Sequence, residues 1–224
     1  VKITPGFVPT ASGSALIEAG GTRVICTASV ENDVPRWRRG TGEGWVTAEY
    51  GMLPASTSER RTRDVSRGKL DGRSQEIQRL IGRSLRAVVD MAALGERTVW
   101  LDCDVLTADG GTRCASICGA YVALQLAMRD LVASGELEAS PVSQGVAAVS
   151  VAIIDGVPRL DPCYLEDVAA DADVNIVMTA DDNLIEVQAT AERVAFSRDT
   201  MNALLEVAQA GIAQLREVQE AALA

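Results

Sequence analysis

The sequence contains no histidine among its 224 residues, and this absence removes several familiar chemistries. Without histidine there can be no Ser-His-Asp or Cys-His nucleophile and no histidine-bound zinc. Any catalysis must therefore use carboxylates, arginines, hydroxyls, a metal ion or the substrate itself.

Long apolar runs and cysteine motifs are also missing. No uninterrupted apolar run reaches the roughly 18 residues that span a bilayer, and the first residues lack the layout of a signal peptide. The five cysteines are scattered, with no Cys-x-x-Cys. Cys114 and Cys118 are four apart, a spacing that could bind a metal on a helix, but core packing is the preferred interpretation. An odd number of cysteines without a framework predicts reduced thiols in a cytoplasm, and the lack of a long apolar run predicts that the protein does not enter a membrane.

The net charge of −10 is unevenly distributed. Residues 60–86 carry nine Lys or Arg against three acids, a local balance of +6, so the rest of the chain carries −16. This pattern predicts that a polyanion is held in one place, although a solvated helix face is the alternative interpretation. Eight of the nine basic residues are arginine, whose planar fork suits phosphate.

Apolar periodicity and glycine positions predict the order of elements. Strands are expected at 15–19, 23–30, 44–53, 98–107, 145–155, 157–160, 173–180 and 184–190. Helices are expected from 73 to about 94, from 113 to 132, and after Asp199 as N-cap. Loops are expected at 31–44 and 54–72. We predict an α+β fold in one domain, 1–224, made of two packed βαβα lobes with mixed sheets and a boundary near 135–145.

The tetrapeptide Gly-Gly-Thr-Arg occurs twice, at 20–23 and 110–113. The first copy lies between two predicted strands and reads as a hairpin turn. The second enters a helix, where free backbone N–H groups favour an anion. Because the helix dipole disfavours a cation there, Arg113 predicts that a ligand anion, inorganic phosphate, binds at this position.

Two further segments carry candidate chemistry. Arg73 lies at the start of the predicted basic helix from 73, where the helix dipole also disfavours a cation. Arg73 and Arg113 could therefore share one phosphate. Five acids fall between Asp161 and Asp173 at the entry to an apolar strand. Such a cluster needs Mg²⁺, the arginines or a shared proton to offset its charge, and it holds the only credible general acids of the chain.

Five stretches then resemble one family. They are Pro-Arg-Trp-Arg-Arg-Gly (35–40), Gly-Trp-Val-Thr-Ala-Glu-Tyr-Gly-Met-Leu-Pro (44–54), Gly-Arg-Ser-Gln-Glu-Ile-Gln-Arg-Leu-Ile-Gly-Arg-Ser-Leu-Arg (72–86), Asp-Cys-Asp-Val-Leu-Thr-Ala-Asp-Gly-Gly-Thr-Arg (102–113) and Glu-Asp-x-x-Ala-x-x-Asp-Val-Asn (166–175). In this order they resemble the ribonuclease PH family of phosphate-dependent 3′-exoribonucleases. The resemblance implies that inorganic phosphate attacks the last phosphodiester of RNA and releases a nucleoside 5′-diphosphate.

The resemblance also implies residue roles. Inorganic phosphate, the co-substrate, would be bound by Arg73, Gly111, Thr112 and Arg113. Asp167 and Asp173 would serve catalysis and bind Mg²⁺, with Asp173 as the preferred proton donor to the leaving 3′-oxygen.

The same resemblance implies partners. Arg60 and Arg63 would hold RNA, above all the 3′ ends of tRNA precursors that the enzyme trims, and the chain would form a hexameric ring, a trimer of dimers. Two other function classes compete with this one. The first is a ring subunit that binds RNA without cutting it, and the second is a small-molecule phosphotransferase, for which 110–113 is too short a nucleotide loop.

Overall fold

The computed structural model describes residues 1–69, 71–193 and 195–224, and it contains two separate β-sheets. The first sheet is formed by the strands β1 (Lys2–Pro5), β2 (Gly13–Ala19), β3 (Thr22–Glu31), β4 (Trp45–Met52) and β5 (Thr98–Thr107). Their order is β1-β2-β3-β5-β4, and the only parallel pair in this sheet is β4 with β5. The second sheet is antiparallel, in the order β7-β6-β8-β9. It comprises β6 (Val146–Ile154), β7 (Val157–Leu160), β8 (Ala172–Thr179) and β9 (Leu184–Ala191).

Six helices accompany the sheets in the described part of the chain: α1 (Asp64–Arg67), α2 (Gly72–Arg86), α3 (Met91–Leu94), α4 (Thr112–Ala133), α5 (Tyr164–Ala169) and α6 (Arg198–Leu223). Helix α4 is the centre of the fold because it packs on β2 and β3 of the first sheet and on β6 of the second. Helix α2 packs on β4 and α4, and α6 covers β6. Helix α4 therefore joins the two sheets into one packed core.

Helix α4 is long and apolar enough to cross a membrane if only its length and composition are considered. Its apolar window is, however, 72% buried inside the protein. Fifteen of its 22 residues are buried, on all sides of the helix, as expected for a helix packed between two sheets.

Most predicted elements are present, and the α+β class is confirmed. The hairpin at 20–21, the strand 98–107 and the helix near 113–132 agree with β2–β3, β5 and α4. The strand β1 and the helices α1 and α5 were not predicted. In the predicted loop 54–72, which contains α1, Leu70 lies outside the described residues. The position of the boundary between the lobes stays a prediction.

Two helix predictions were wrong in detail. The predicted helix 73–94 ends at Arg86, because Val88 and Val89 leave the helix to pair with the segment at 142–143. The last helix is capped by Ser197, whose side chain accepts a hydrogen bond from Thr200 N, so Asp199 lies in the first turn and is not the cap.

Candidate active site

The loop before α4 is fixed by contacts with distant parts of the chain. Gly110 and Gly111 both have positive φ, +82° and +56°, a backbone conformation that glycine adopts without strain. The Thr22 hydroxyl donates to Gly110 O at 2.6 Å and accepts from Asp109 N at 2.8 Å. The first Gly-Gly-Thr-Arg copy is the predicted hairpin turn, and its threonine also positions the second copy.

A second loop closes over the same glycines from the other sheet. Tyr164 N, at the start of α5, donates to Asp109 Oδ1 at 3.1 Å. A Cβ on Gly110 would overlap Pro162 O and would lie 3.2 Å from the carbonyl carbon of Cys163. Only glycine therefore allows this close approach of the two backbones.

Arg113 is largely buried and is held by a carboxylate from the basic helix. Its Nη2 donates to Glu76 Oε2 at 3.1 Å, and its side chain is 14% exposed. The chain itself therefore supplies one anion to Arg113, in the carboxylate of Glu76, and the binding of inorganic phosphate there stays a prediction. The Nε of Arg113 is buried and has no hydrogen-bond partner in the described chain, so this N–H group is unpaired.

Thr112 is buried at the first turn of α4. Its hydroxyl forms a hydrogen bond of 2.9 Å with the Tyr50 hydroxyl, which reaches it from β4. Burial raises the pKa of Tyr50, so the phenol stays protonated at neutral pH. Tyr50 thus positions the Thr112 hydroxyl, a role for which the sequence offered no signal.

Four of the predicted site residues line one cleft of about 530 Å³ between the first turns of α2 and α4 and the second sheet: Arg73, Arg113, Asp167 and Asp173. Arg73 comes from α2, Arg113 from α4, Asp167 from α5 and Asp173 from β8. Arg73 forms no ion pair within the described ranges, so its charge is available to an anion. Gly111 and Thr112 adjoin Arg113 at the start of α4 and do not line this cleft.

The two aspartates of the cleft have different surroundings. Asp173 accepts hydrogen bonds from Ser150 Oγ at 3.0 Å and Asn175 Nδ2 at 3.1 Å, and these donors orient its carboxylate. The pKa of Asp167 is raised, first by burial and next by the negative charge of Asp173, while Arg73 opposes the shift. The cleft therefore holds one fixed carboxylate and one whose ionisation is opposed. Ser150 and Asn175 were not identified from the sequence.

The same two carboxylates are the ligands that Mg²⁺ would use. Magnesium takes oxygen ligands and usually binds to one or two carboxylates together with water and substrate phosphates. A cation would relieve the repulsion that raises the pKa of Asp167. No cluster of three or more acids or cysteines able to hold a metal occurs in the described ranges.

The predicted RNA-binding arginines lie outside this cleft. Arg60 and Arg63 are exposed in the segment before α1. Arg63 lines a different cleft of about 460 Å³, together with Asp102 and Asp104 of β5. Burial raises the pKa of Asp104, and the charge of Arg63 opposes the shift, so this arginine lies close to the Asp104 carboxylate.

Comparison with known proteins identifies the family. Residues 1–130 match domain 1 of the 3′ exoribonuclease family, and residues 145–211 match domain 2. The chain belongs to the 3′ exoribonuclease family. It is 59% identical over 223 residues to "Ribonuclease PH" of Neisseria meningitidis, covering 100% of this chain and 92% of the relative. It is 56% identical to "Ribonuclease PH" of Syntrophomonas wolfei, with 100% and 93% coverage.

Solved structures share the fold of this 3′ exoribonuclease family member. An Archaeoglobus fulgidus exosome "with RNA bound to the active site" superposes with a TM-score of 0.81 at 24% identity, covering 96% of this chain and 86% of the other. Rice Rrp46 superposes with a TM-score of 0.79 at 16% identity, covering 100% and 94%. These identities are low, so the similarity is one of fold.

Proposed function

We propose that this chain is a phosphorolytic 3′-to-5′ exoribonuclease that uses inorganic phosphate to release nucleoside 5′-diphosphates from RNA. The observation that carries the proposal is the cleft in which Arg73 and Arg113 face Asp167 and Asp173. It offers two guanidinium groups for a phosphate and two carboxylates for the leaving group. The 59% identity to a ribonuclease PH over the whole chain supports the same reaction.

The chemistry needs no nucleophile from the protein. An oxygen of inorganic phosphate attacks the terminal phosphodiester phosphorus, and the bond from this phosphorus to the 3′-oxygen of the preceding nucleotide breaks. The products are a nucleoside diphosphate and an RNA shortened by one nucleotide. Arg73 and Arg113 hold the attacking phosphate and stabilise the charge that develops on the phosphoryl oxygens. This route explains how a chain without histidine can cleave RNA.

The leaving 3′-oxygen must gain a proton, and the two aspartates of the cleft are the proposed donors. The resemblance implies Asp173 as the donor, whereas burial raises the pKa of Asp167 and favours a proton there. When bound to these two carboxylates, Mg²⁺ would neutralise charge on the reacting phosphates. The Asp167→Asn and Asp173→Asn variants separate the two assignments. A proton donor loses its proton as pH rises, so only the loss of the donor removes the fall of kcat at high pH.

We also propose the biological setting. The substrates are RNAs with an unpaired 3′ end, above all tRNA precursors, and Arg60 and Arg63 hold their backbone. The chain acts as a hexameric ring in the cytoplasm. The chain shares its fold with an archaeal exosome core and with an exosome that has RNA bound to the active site, and this supports a ring-like assembly and an RNA substrate.

The test removes the central arginine and compares it with its counterpart in the repeated tetrapeptide. Arg113→Ala deletes a donor to the phosphate and should lower kcat/KM for phosphate about 10²- to 10³-fold. Arg23→Ala is the matched control, since Arg23 closes the first Gly-Gly-Thr-Arg copy and pairs with Glu18 at 3.0 Å, as Arg113 pairs with Glu76. This control should keep full activity.

RNA affinity supplies the second readout. If Arg113 binds phosphate alone, Arg113→Ala should bind an RNA with an unpaired 3′ end as tightly as the unaltered protein does. Equal loss of RNA binding and phosphorolysis would contradict this division of roles. RNA bound but left uncut by the unaltered protein, with phosphate present, would instead support the non-cutting ring subunit.

A further inference from the structure

One buried polar atom of the cleft is not used by the proposed reaction. Gln188 of β9 lines the cleft, and its Nε2 donates to Glu76 Oε1 at 3.2 Å. Its Oε1 is buried and has no hydrogen-bond partner in the ranges that the structure describes. Because a carboxylate only accepts hydrogen bonds, Glu76 fixes the orientation of the amide and leaves the Gln188 carbonyl oxygen as the unpaired end.

The same carboxylate connects this amide to the phosphate site. Glu76 accepts from Arg113 through Oε2 and from Gln188 through Oε1, so this residue of α2 links α4 to β9 in one hydrogen-bonded unit. A second contact, from Arg83 Nη1 to Glu186 Oε2 at 2.6 Å, ties α2 to β9 close by. The Gln188 side chain is therefore held in place beside Arg113.

An unpaired buried acceptor is costly, and it calls for a hydrogen-bond donor. Phosphodiester oxygens only accept hydrogen bonds and cannot satisfy it, whereas the hydroxyl of hydrogenphosphate is a competing donor that the phosphate kinetics below distinguish. Base N–H groups differ among the four nucleotides, so an enzyme that removes any nucleotide cannot rely on them. The donor that every RNA nucleotide carries is a ribose hydroxyl, which also distinguishes RNA from DNA.

We propose that Gln188 is a specificity-determining residue whose carbonyl oxygen accepts a hydrogen bond from a ribose hydroxyl at the 3′ end of the RNA. This assignment rests on the proposed function. The arginines of the cleft then bind phosphate, and Gln188 recognises ribose in the sugar beside the scissile bond. A deoxyribose leaves the buried oxygen unpaired and is rejected for that reason.

The test compares sugars under single-turnover conditions with saturating phosphate. The substrates are one unstructured oligoribonucleotide and versions with a single 2′-deoxy or 2′-fluoro substitution at the last or the penultimate nucleotide, and one with a 3′-deoxy end. The unaltered protein should cut one of the substituted RNAs about tenfold or more slowly than the all-ribose RNA. Fluorine accepts but does not donate and keeps the ribose pucker, so 2′-fluoro should be as poor as 2′-deoxy at the position that Gln188 reads.

Variants then assign the preference to this residue. Gln188→Met keeps the length of the side chain without its carbonyl oxygen, and it should reduce the ribose preference to within about threefold, mainly by slowing the all-ribose RNA. Thr190→Val is the matched control, because Thr190 lies two residues along β9 and lines the same cleft. Its ribose preference should equal that of the unaltered protein. Because the 2′-fluoro comparison uses the unaltered protein, it stands even if a variant fails to fold.

The other outcomes overturn the assignment. If Gln188→Met keeps the ribose preference but raises KM for phosphate equally on all RNAs, the oxygen faces the hydroxyl of hydrogenphosphate or only supports Glu76. If neither quantity changes, no substrate group pairs with it. Failure of the proposed function is distinguishable, since then the unaltered protein would release no nucleoside diphosphate even from the all-ribose RNA.

Discussion

Gly110→Ala is the substitution that should most clearly disturb the loop 109–111 before α4. The new residue would keep a left-handed backbone, which costs a residue with a Cβ about 1 to 2 kcal/mol. Its Cβ would also overlap Pro162 O and lie 3.2 Å from the carbonyl carbon of Cys163. These are backbone atoms, so the two loops must separate by about an ångström to reach ordinary contact distance.

The loss of stability and the loss of activity can be measured separately. Strain and displacement together should lower the free energy of unfolding by about 2 to 4 kcal/mol. A displacement of about 1 Å in a binding loop should lower kcat/KM for phosphate about 10²-fold. The assays are urea denaturation and the release of nucleoside diphosphate at varied phosphate concentrations.

The matched control is Gly156→Ala in the turn between β6 and β7. Gly156 also has positive φ, +75°, but a Cβ there meets no atom within 4 Å. This variant should lose about 1 to 2 kcal/mol of stability and keep its phosphate kinetics. If Gly110→Ala has the phosphate kinetics of this control, the close approach of loops 109–111 and 161–163 does not form the phosphate site.

Three further substitutions test other parts of the molecule. Arg60→Ala combined with Arg63→Ala should weaken RNA binding and reduce the slope of log affinity against log salt by about 1.4, since each single-strand phosphate contact contributes about 0.7; an unchanged slope in a salt titration would remove these arginines from the RNA path. The pKa of Asp102 is raised, first by burial and then by the charges of neighbouring acids, so the folded state binds its proton more tightly than the unfolded chain and stability falls as pH rises through that range. Asp102→Asn should therefore match the unaltered protein in urea below about pH 4 and exceed it at pH 7; an equal difference at both values would contradict the shift. Gly13→Ala places a Cβ against two backbone atoms of α4, one of them 2.6 Å away, and should cost about 3 kcal/mol or more; a change under 1 kcal/mol in the unfolding free energy would mean that β2 can move away from α4.

The parts of the fold that follow from local pattern could be predicted. Strand β5 alternates apolar and polar residues and begins and ends where expected, and the two glycines at 20–21 mark the hairpin between β2 and β3. Helix α5 could not be found this way because it has only six residues and none of them is buried, so no apolar stripe of this helix packs on the core. The early end of α2 depends on pairing with residues 142–143, a contact that no local pattern encodes.

The site divides in the same way. Two arginines at helix N-termini and a dense acidic segment were recognisable, because each is costly without a partner. Glu76 was visible only as one acid within a basic segment. That it holds both Arg113 and Gln188 depends on the contacts of α2 with α4 and β9, and spacing along the chain carries no information about such contacts. Tyr50 and Ser150 were missed for the same reason.

The most direct test of the central claim follows the phosphorus atom. The protein is incubated with Mg²⁺, an RNA with an unpaired 3′ end, and ³²P-labelled inorganic phosphate, and the products are separated by chromatography. Phosphorolysis predicts label in the β-phosphate of released nucleoside diphosphates, with no release when phosphate is omitted. Unlabelled nucleoside monophosphates released without phosphate would mean hydrolysis, and the phosphate site between Arg73 and Arg113 would then have no part in the reaction.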